Sequence, residues 1–128
     1  MASAFYNEAK EAMLSGTLNL TTAGANVIKA ALVDTGTYTF AATHDNYTTH
    51  IDPHNVGTDI TLGSKTVTNG TFDAADNTWT SVTGNSAEAI VIYDSTNDIL
   101  VAYIDGITVT PNGNDIDVTW DAAGIFSI

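Results

Sequence analysis

The sequence contains no cysteine and no arginine, and it has only three lysines against fifteen acidic residues. Without cysteine the chain can form no disulfide, thiolate zinc site, iron–sulfur cluster or cysteine nucleophile. The net charge of -12 excludes a broad basic surface, which is what proteins use to bind nucleic acid and anionic lipid. We therefore expect no nucleic-acid partner and no membrane partner.

Long apolar runs, an export signal and catalytic motifs are also missing from the sequence. No run approaches the ~20 apolar residues of a membrane-spanning helix, and the first residues lack the basic and apolar parts of a leader. Motifs for dinucleotides, phosphate loops, nucleophile elbows and zinc proteases do not occur. We expect one domain over residues 1–128, made in a cytoplasm, with no enzymatic activity and no cofactor.

Threonine is abundant, with 21 copies in 128 residues, whereas charged residues make up only 14 % of the chain. Threonine and other β-branched residues fit pleated strands, while asparagine, aspartate and glycine favour turns. This composition predicts a mainly β fold. We expect an antiparallel β-sandwich or barrel-like domain with one N-terminal helix.

The helix is predicted near the start of the chain by an apolar stripe. Phe5, Ala9 and Met13 recur at helical spacing, and a serine is placed to cap the first turn. We predict a helix over Ser3–Ser15, followed by a β-rich body over residues 17–128.

One hairpin is predicted at Asn112-Gly113, because a type I′ turn needs positive φ at both central residues. A two-residue loop there would pair Val109 with Ile116 and Ile107 with Val118, placing four apolar side chains on one face.

Two further hairpins are predicted. A turn at Asn69-Gly70 would pair Val67 with Phe72. Another hairpin joins Ala89–Tyr93 to Ile99–Ile104, and both of its strands are apolar on both faces. Such strands lie in the middle of a sandwich or have one face covered by another subunit.

Twelve of the fifteen acidic residues are aspartates in or beside turns. The acidic turns Asp73–Asn77 and Asp94–Asp98 lack the alternating ligands, glycine and closing glutamate of an EF-hand. We interpret them as solvated turns rather than calcium sites.

All three histidines fall in a segment without hydrophobic periodicity, which predicts a long loop over residues 41–57. Imidazoles interleaved with carboxylates can bind Zn²⁺ or Ni²⁺, so His44, His50 and His54 are candidate metal ligands. The same loop could instead contact a partner or a sister subunit, or be exposed polar surface. The candidate partner-contact residues are Phe40, His44, Tyr47, His50, Asp52 and His54.

Several stretches together resemble a family of small virion structural proteins of tailed bacteriophages, whose members include capsid cement, or decoration, proteins. The stretches follow one another along most of the chain: Ala9–Ala12, Ile28–Thr35, Lys65–Val67, Phe72–Asp76, Ala89–Tyr93, Leu100–Asp105 and Val118–Phe126. The resemblance implies a non-enzymatic protein that stabilises the head by bridging neighbouring major capsid subunits. It also implies a homotrimer on the outer surface of the head, made in the host cytoplasm, with the doubly apolar hairpin as a possible trimer surface.

Two other functions stay open at this point. A tail, neck or fibre component with a joining or receptor-binding role could use the same kind of domain. A carbohydrate-binding module would need exposed aromatic side chains such as Trp79 or Tyr47. Trp120 alternates in phase with Ile116 and Val118, which favours burial in the core.

Overall fold

The fold is mainly β, with antiparallel sheets and one N-terminal helix, in a computed structural model that describes residues 3–21 and 26–127. In chain order the strands are β1 (Ser3–Phe5), β2 (Ile28–Val33), β3 (Asn55–Thr61), β4 (Thr66–Thr68), β5 (Thr71–Asp73), β6 (Asn77–Trp79), β7 (Ala87–Asp94), β8 (Ile99–Val109), β9 (Ile116–Val118) and β10 (Phe126–Ser127). The helices are α1 (Asn7–Ser15), α2 (Tyr47–His50) and a 3₁₀ helix (Asp52–His54). Within the two described ranges, no helix is long and apolar enough to cross a membrane.

The strands form three sheets among the described residues. The largest has the order β1–β8–β7–β2–β3, and the smaller ones have the orders β10–β5–β4 and β6–β9. One face of the large sheet packs on α1 and the small sheets through a core that includes Ile90, Phe72 and Trp79. The other face packs on a second apolar cluster that includes Val91 and Tyr38. The large sheet is therefore the middle layer of the molecule.

The hairpin of β7 and β8 forms as predicted, with Tyr93 opposite Leu100 and Asp94 opposite Ile99. Side chains from Ala89 to Tyr93 are buried, and they divide between the two clusters. Both faces of this hairpin are covered by the chain itself. The suggestion that the hairpin offers a trimer surface is therefore wrong, because no free face remains on it.

The hairpin at Asn69-Gly70 is also confirmed. The two residues have φ values of 52° and 76°, as a type I′ turn requires, and Val67 lies opposite Phe72. This turn fixes the register of β4 and β5.

The helix begins at Asn7 instead of Ser3. Residues Ser3–Phe5 form β1 and pair with β8, where Phe5 lies opposite Ala102. The backbone groups of these residues form hydrogen bonds with the edge of β8. At the start of the helix, Tyr6 is the N-cap, and its side chain makes no capping hydrogen bond. The predicted end is confirmed, since Gly16 follows the last helical residue in a left-handed conformation.

The predicted hairpin at Asn112-Gly113 is wrong. Strand β9 pairs with β6, placing Ile116 opposite Trp79, and Val109 instead lies opposite Ala87. The backbone N–H of Gly113 donates to Val82 O at 2.8 Å, so a neighbouring loop takes the place of β8. Three of the four predicted apolar side chains, Ile107, Ile116 and Val118, do pack against the core, but the alternation did not determine the partner strand.

The predicted loop over residues 41–57 contains regular structure. It includes α2 and the 3₁₀ helix, and its last three residues belong to β3. The side chain of Asn46 accepts a hydrogen bond from Thr49 N at 2.9 Å and caps α2. Local capping, which hydrophobic periodicity does not reveal, makes this short helix possible.

Candidate functional site

The outer face of the large sheet carries a layer of aromatic and imidazole side chains, which we call the aromatic layer. Its members come from the junction between β1 and α1, from the segment between β2 and β3, and from the strands β7 and β8. They are Tyr6, Tyr38, Phe40, His44, Tyr47, His50, His54, Tyr93 and Tyr103.

A hydrogen-bonded chain runs from the interior of this layer towards its surface. The hydroxyl oxygens of Tyr6 and Tyr38 are 2.8 Å apart, and Tyr38 Oη is 2.9 Å from His44 Nδ1. Tyr6 is fully buried, and burial, followed by the hydrogen bond to Tyr38, raises the pKa of its hydroxyl far above the ordinary range. Tyr6 therefore keeps its proton at any physiological pH.

Two histidines stack at the surface end of this series of hydrogen-bonded side chains. The rings of His44 and His50 have centroids 4.2 Å apart and planes inclined by 11°. Burial lowers the pKa of His44, and the neighbouring His50 lowers it further. His50 Nε2 lies 3.3 Å from Asp45 Oδ1, so a carboxylate faces the second ring of the pair.

A second stack lies at the other end of the layer. The rings of Tyr47 and Tyr93 are 4.0 Å apart and nearly parallel, and Tyr93 Oη donates to Asp59 Oδ2 at 2.6 Å. The hydroxyl of Tyr47 donates to Asp52 Oδ1 at 3.4 Å. Burial and the hydrogen bond to Asp59 raise the pKa of both tyrosines. Both hydroxyls therefore remain donors.

All six candidate contact residues belong to this region. Phe40 stacks on Tyr103, and His54 lies against Tyr38 while its Nδ1 is 2.9 Å from Thr37 Oγ1. Asp52 is exposed, whereas the aromatic and imidazole candidates are half-buried. Sequence reasoning missed the tyrosines at positions 6, 38, 93 and 103, because only the fold brings them to the histidine segment.

The histidines do not form a metal centre with their neighbours. Across residues 3–21 and 26–127, no group of three or more histidine or acidic side chains is arranged to hold a metal ion. His44 and His54 each use Nδ1 in a hydrogen bond to a hydroxyl. These bonds point the ring nitrogens towards tyrosine and threonine instead of towards a shared ion.

A polar groove of about 480 Å³ lies beside the layer and includes Asp34, His54 and Asn85. Asp34 Oδ1 accepts from Gly36 N, and its Oδ2 accepts from Asn85 Nδ2 at 3.0 Å. Asp34 Oδ1 thus stabilises its own turn, and Oδ2 joins that turn to a distant loop.

The opposite layer of the molecule carries an apolar groove at the end of α1. It has a volume of about 320 Å³ and is formed by Phe5, Lys10, Met13 and Leu14. Leu14 is 91 % exposed, and a neighbouring groove of about 360 Å³ continues past Met13 to Val67. Contiguous exposed apolar surface commonly marks a protein contact.

The two tryptophans do not provide a sugar-stacking surface. Trp79 is 1 % exposed and Trp120 is 6 % exposed, so both rings lie in the core. The in-phase alternation of Trp120 predicted its burial correctly.

Comparison of this chain with protein-family models, with curated proteins and with solved structures finds no match.

Proposed function

We propose that this chain is a non-enzymatic structural protein of a tailed-phage virion, a cement or decoration protein that bridges neighbouring major capsid subunits. The resemblance of its sequence stretches to small virion proteins supports the phage assignment. The bridging role is supported by the surfaces described above.

One observation carries the bridging role: the molecule has two candidate contact surfaces on opposite faces of its middle sheet. The aromatic layer lies on one face, and the apolar groove around Leu14 belongs to the layer on the other. A protein that joins two neighbours needs two such surfaces, and repeated weak contacts over a shell add up to strong attachment.

The charge of the chain favours a position outside the DNA-filled space. Fifteen carboxylates and three lysines give a charge of -12, which DNA phosphates repel. We place the protein on the outer surface of the head, in contact with the major capsid protein.

The homotrimer implied by the resemblance is part of the proposal. Since the β7–β8 hairpin is covered by its own chain, the trimer contact must use another surface. The half-buried Tyr47 and the exposed Asp52, at the edge of the aromatic layer, are our candidates for it.

The test uses particles that lack the protein, to which purified wild type or a variant is added back. DNA release on heating is followed with a dye. We expect stripped particles to release DNA at a lower temperature than complete ones, and wild type to restore the difference. Leu14→Asp should restore much less, because it places a charge in the apolar contact. Thr119→Asp adds the same charge at an exposed position directly after β9 and should restore as well as wild type.

If stripped and complete particles release DNA at the same temperature, the cement function is wrong. A tail, neck or fibre role then becomes the better proposal, and labelling on intact particles would locate the protein there.

A further inference from the structure

Three polar side chains meet where the ends of the large and small sheets come together. Asn26 lies two residues before β2, Lys65 lies directly before β4, and Asp94 is the last residue of β7. They are far apart in the sequence but adjacent in space.

Asp94 is fully buried, although it was interpreted from the sequence as part of a solvated turn. Its Oδ2 accepts from Asn26 Nδ2 at 2.7 Å and from Asn97 Nδ2 at 2.9 Å, and its Oδ1 accepts from the backbone of Thr96 and Asn97. A buried carboxylate needs such donors, because burial removes its hydration. The amide of Asn26 is therefore held firmly by a group able to accept and donate protons.

The amine of Lys65 approaches the same asparagine from the other side. Lys65 Nζ donates to the main-chain oxygen of Asn26 at 3.4 Å. The side-chain Cγ of Asn26 is four bonds from that oxygen, so the attack that we propose requires Nζ to move from the main-chain oxygen to the side-chain carbonyl of the same residue. Holding a nucleophile and an electrophile together in this way removes much of the entropic barrier to their reaction.

We propose that Lys65, Asn26 and Asp94 form an intramolecular isopeptide bond between Lys65 Nζ and Asn26 Cγ. The Nζ–Cγ bond forms and the Cγ–Nδ2 bond breaks. Nζ starts as an ammonium group and gives up two protons, and Nδ2 takes both and leaves as ammonium. Asp94 carries protons between the two nitrogens and is a carboxylate again at the end. The reaction needs no oxidant or reductant.

The bond would tie the start of β2 in the large sheet to the start of β4 in a small sheet. A covalent link between the layers resists their separation under load and restricts the unfolded chain. The inference does not depend on the proposed virion function, since it concerns one folded chain.

The test is mass spectrometry of the full-length protein after purification in the folded state. We expect the intact mass to fall short of the sequence mass by one ammonia, and a digest to contain the Asn26 peptide joined to the Lys65 peptide. Lys65→Arg and Asn26→Ala should abolish both signals. The matched controls Lys29→Arg and Asn97→Ala should retain them, because neither side chain takes part in the proposed bond, although Asn97 donates to the same carboxylate.

Two results would overturn the inference. One is a folded wild-type protein whose Asn26 and Lys65 peptides are entirely unlinked. The other is an ammonia loss that persists in Lys65→Arg, which would indicate a succinimide, for example at Asn69-Gly70 or Asn112-Gly113. The peptide measurement on wild type decides the question even where a variant folds poorly.

Discussion

Tyr38 connects the interior of the aromatic layer to its surface. Its hydroxyl contacts Tyr6 on the buried side and His44 on the outer side, while its ring lies 5.6 Å from that of His54. Protonation of His44 therefore puts a positive charge on a side chain that is packed against its neighbours, not on one that is free in solvent. The facing groups are His50, whose positive charge would oppose protonation, and Asp45, whose negative charge favours it.

This arrangement predicts a loss of stability in acid. The folded pKa of His44 lies below the ordinary histidine value of 6.5, so the unfolded chain binds the proton first as the pH falls. The contribution of neutral His44 to the free energy of unfolding is fully present well above pH 6.5, and it is lost as the pH falls from there to the folded pKa. We expect the melting temperature to fall between about pH 7 and about pH 5, and to fall less in His44→Gln.

His54→Gln is the control for this experiment, since it leaves the stacked pair of His44 and His50 in place. It should keep the pH dependence of wild type. An identical pH profile for His44→Gln and wild type would contradict the role given to His44.

At the scale of elements, β10 depends on the close approach of the backbone at Gly124. Gly124 lies shortly before β10 with φ of 108°, and a Cβ there would overlap Thr71 Cγ2 and lie 3.1 Å from Phe72 O. Gly84 has a similar φ of 113°, but an added Cβ would meet nothing within 4 Å. A non-glycine residue would strain the backbone at both positions. Only at Gly124 would its Cβ also overlap neighbouring atoms.

We expect Gly84→Ala to lower the free energy of unfolding by about 1–3 kcal/mol through backbone strain alone. Gly124→Ala should lower it by a further ~1–3 kcal/mol, because Thr71 and the β5 backbone must move. Urea unfolding of both variants measures the difference. Equal losses would show that β10 adjusts freely, against the packing described.

Elements formed by local pairing were predictable from the sequence, and those formed by distant pairing were not. The turn at Asn69-Gly70 and the β7–β8 hairpin join neighbouring strands, so their turn residues and apolar patterns were sufficient. Strand β9 shows the same alternation, but its partner β6 lies almost forty residues away. The alternation of Ile116 and Val118 indicates which face of the strand is buried, but it does not indicate with which strand β9 pairs.

The candidate site was predictable to a similar extent. The histidine segment was singled out by composition. Five of the six candidate residues belong to the aromatic layer, and the sixth, Asp52, accepts a hydrogen bond from Tyr47 at its edge. The tyrosines beneath them, and the burial of Asp94, follow from tertiary packing that no local pattern encodes.

For the whole molecule, the charge of -12 produces repulsion that the folded state concentrates in a small volume. Added salt screens it, since the Debye length falls from ~30 Å at 0.01 M to ~10 Å at 0.1 M. We expect the melting temperature at neutral pH to rise as sodium chloride is increased across this range. A melting temperature independent of salt would mean that the carboxylates are too well dispersed or paired to repel one another.

The pairing of β1 with β8 also has a consequence for how the fold is reached. Phe5 lies opposite Ala102, so the edge of the large sheet closes only when two segments that are far apart in the sequence meet. Closing so long a loop is slow, because chain entropy is lost before the stabilising contacts form. Topologies with many such long-range pairs fold more slowly than topologies with mostly local contacts. Until that last strand docks, β8 exposes an unpaired edge, and this interval is when a newly made chain is most open to pairing with the wrong neighbour.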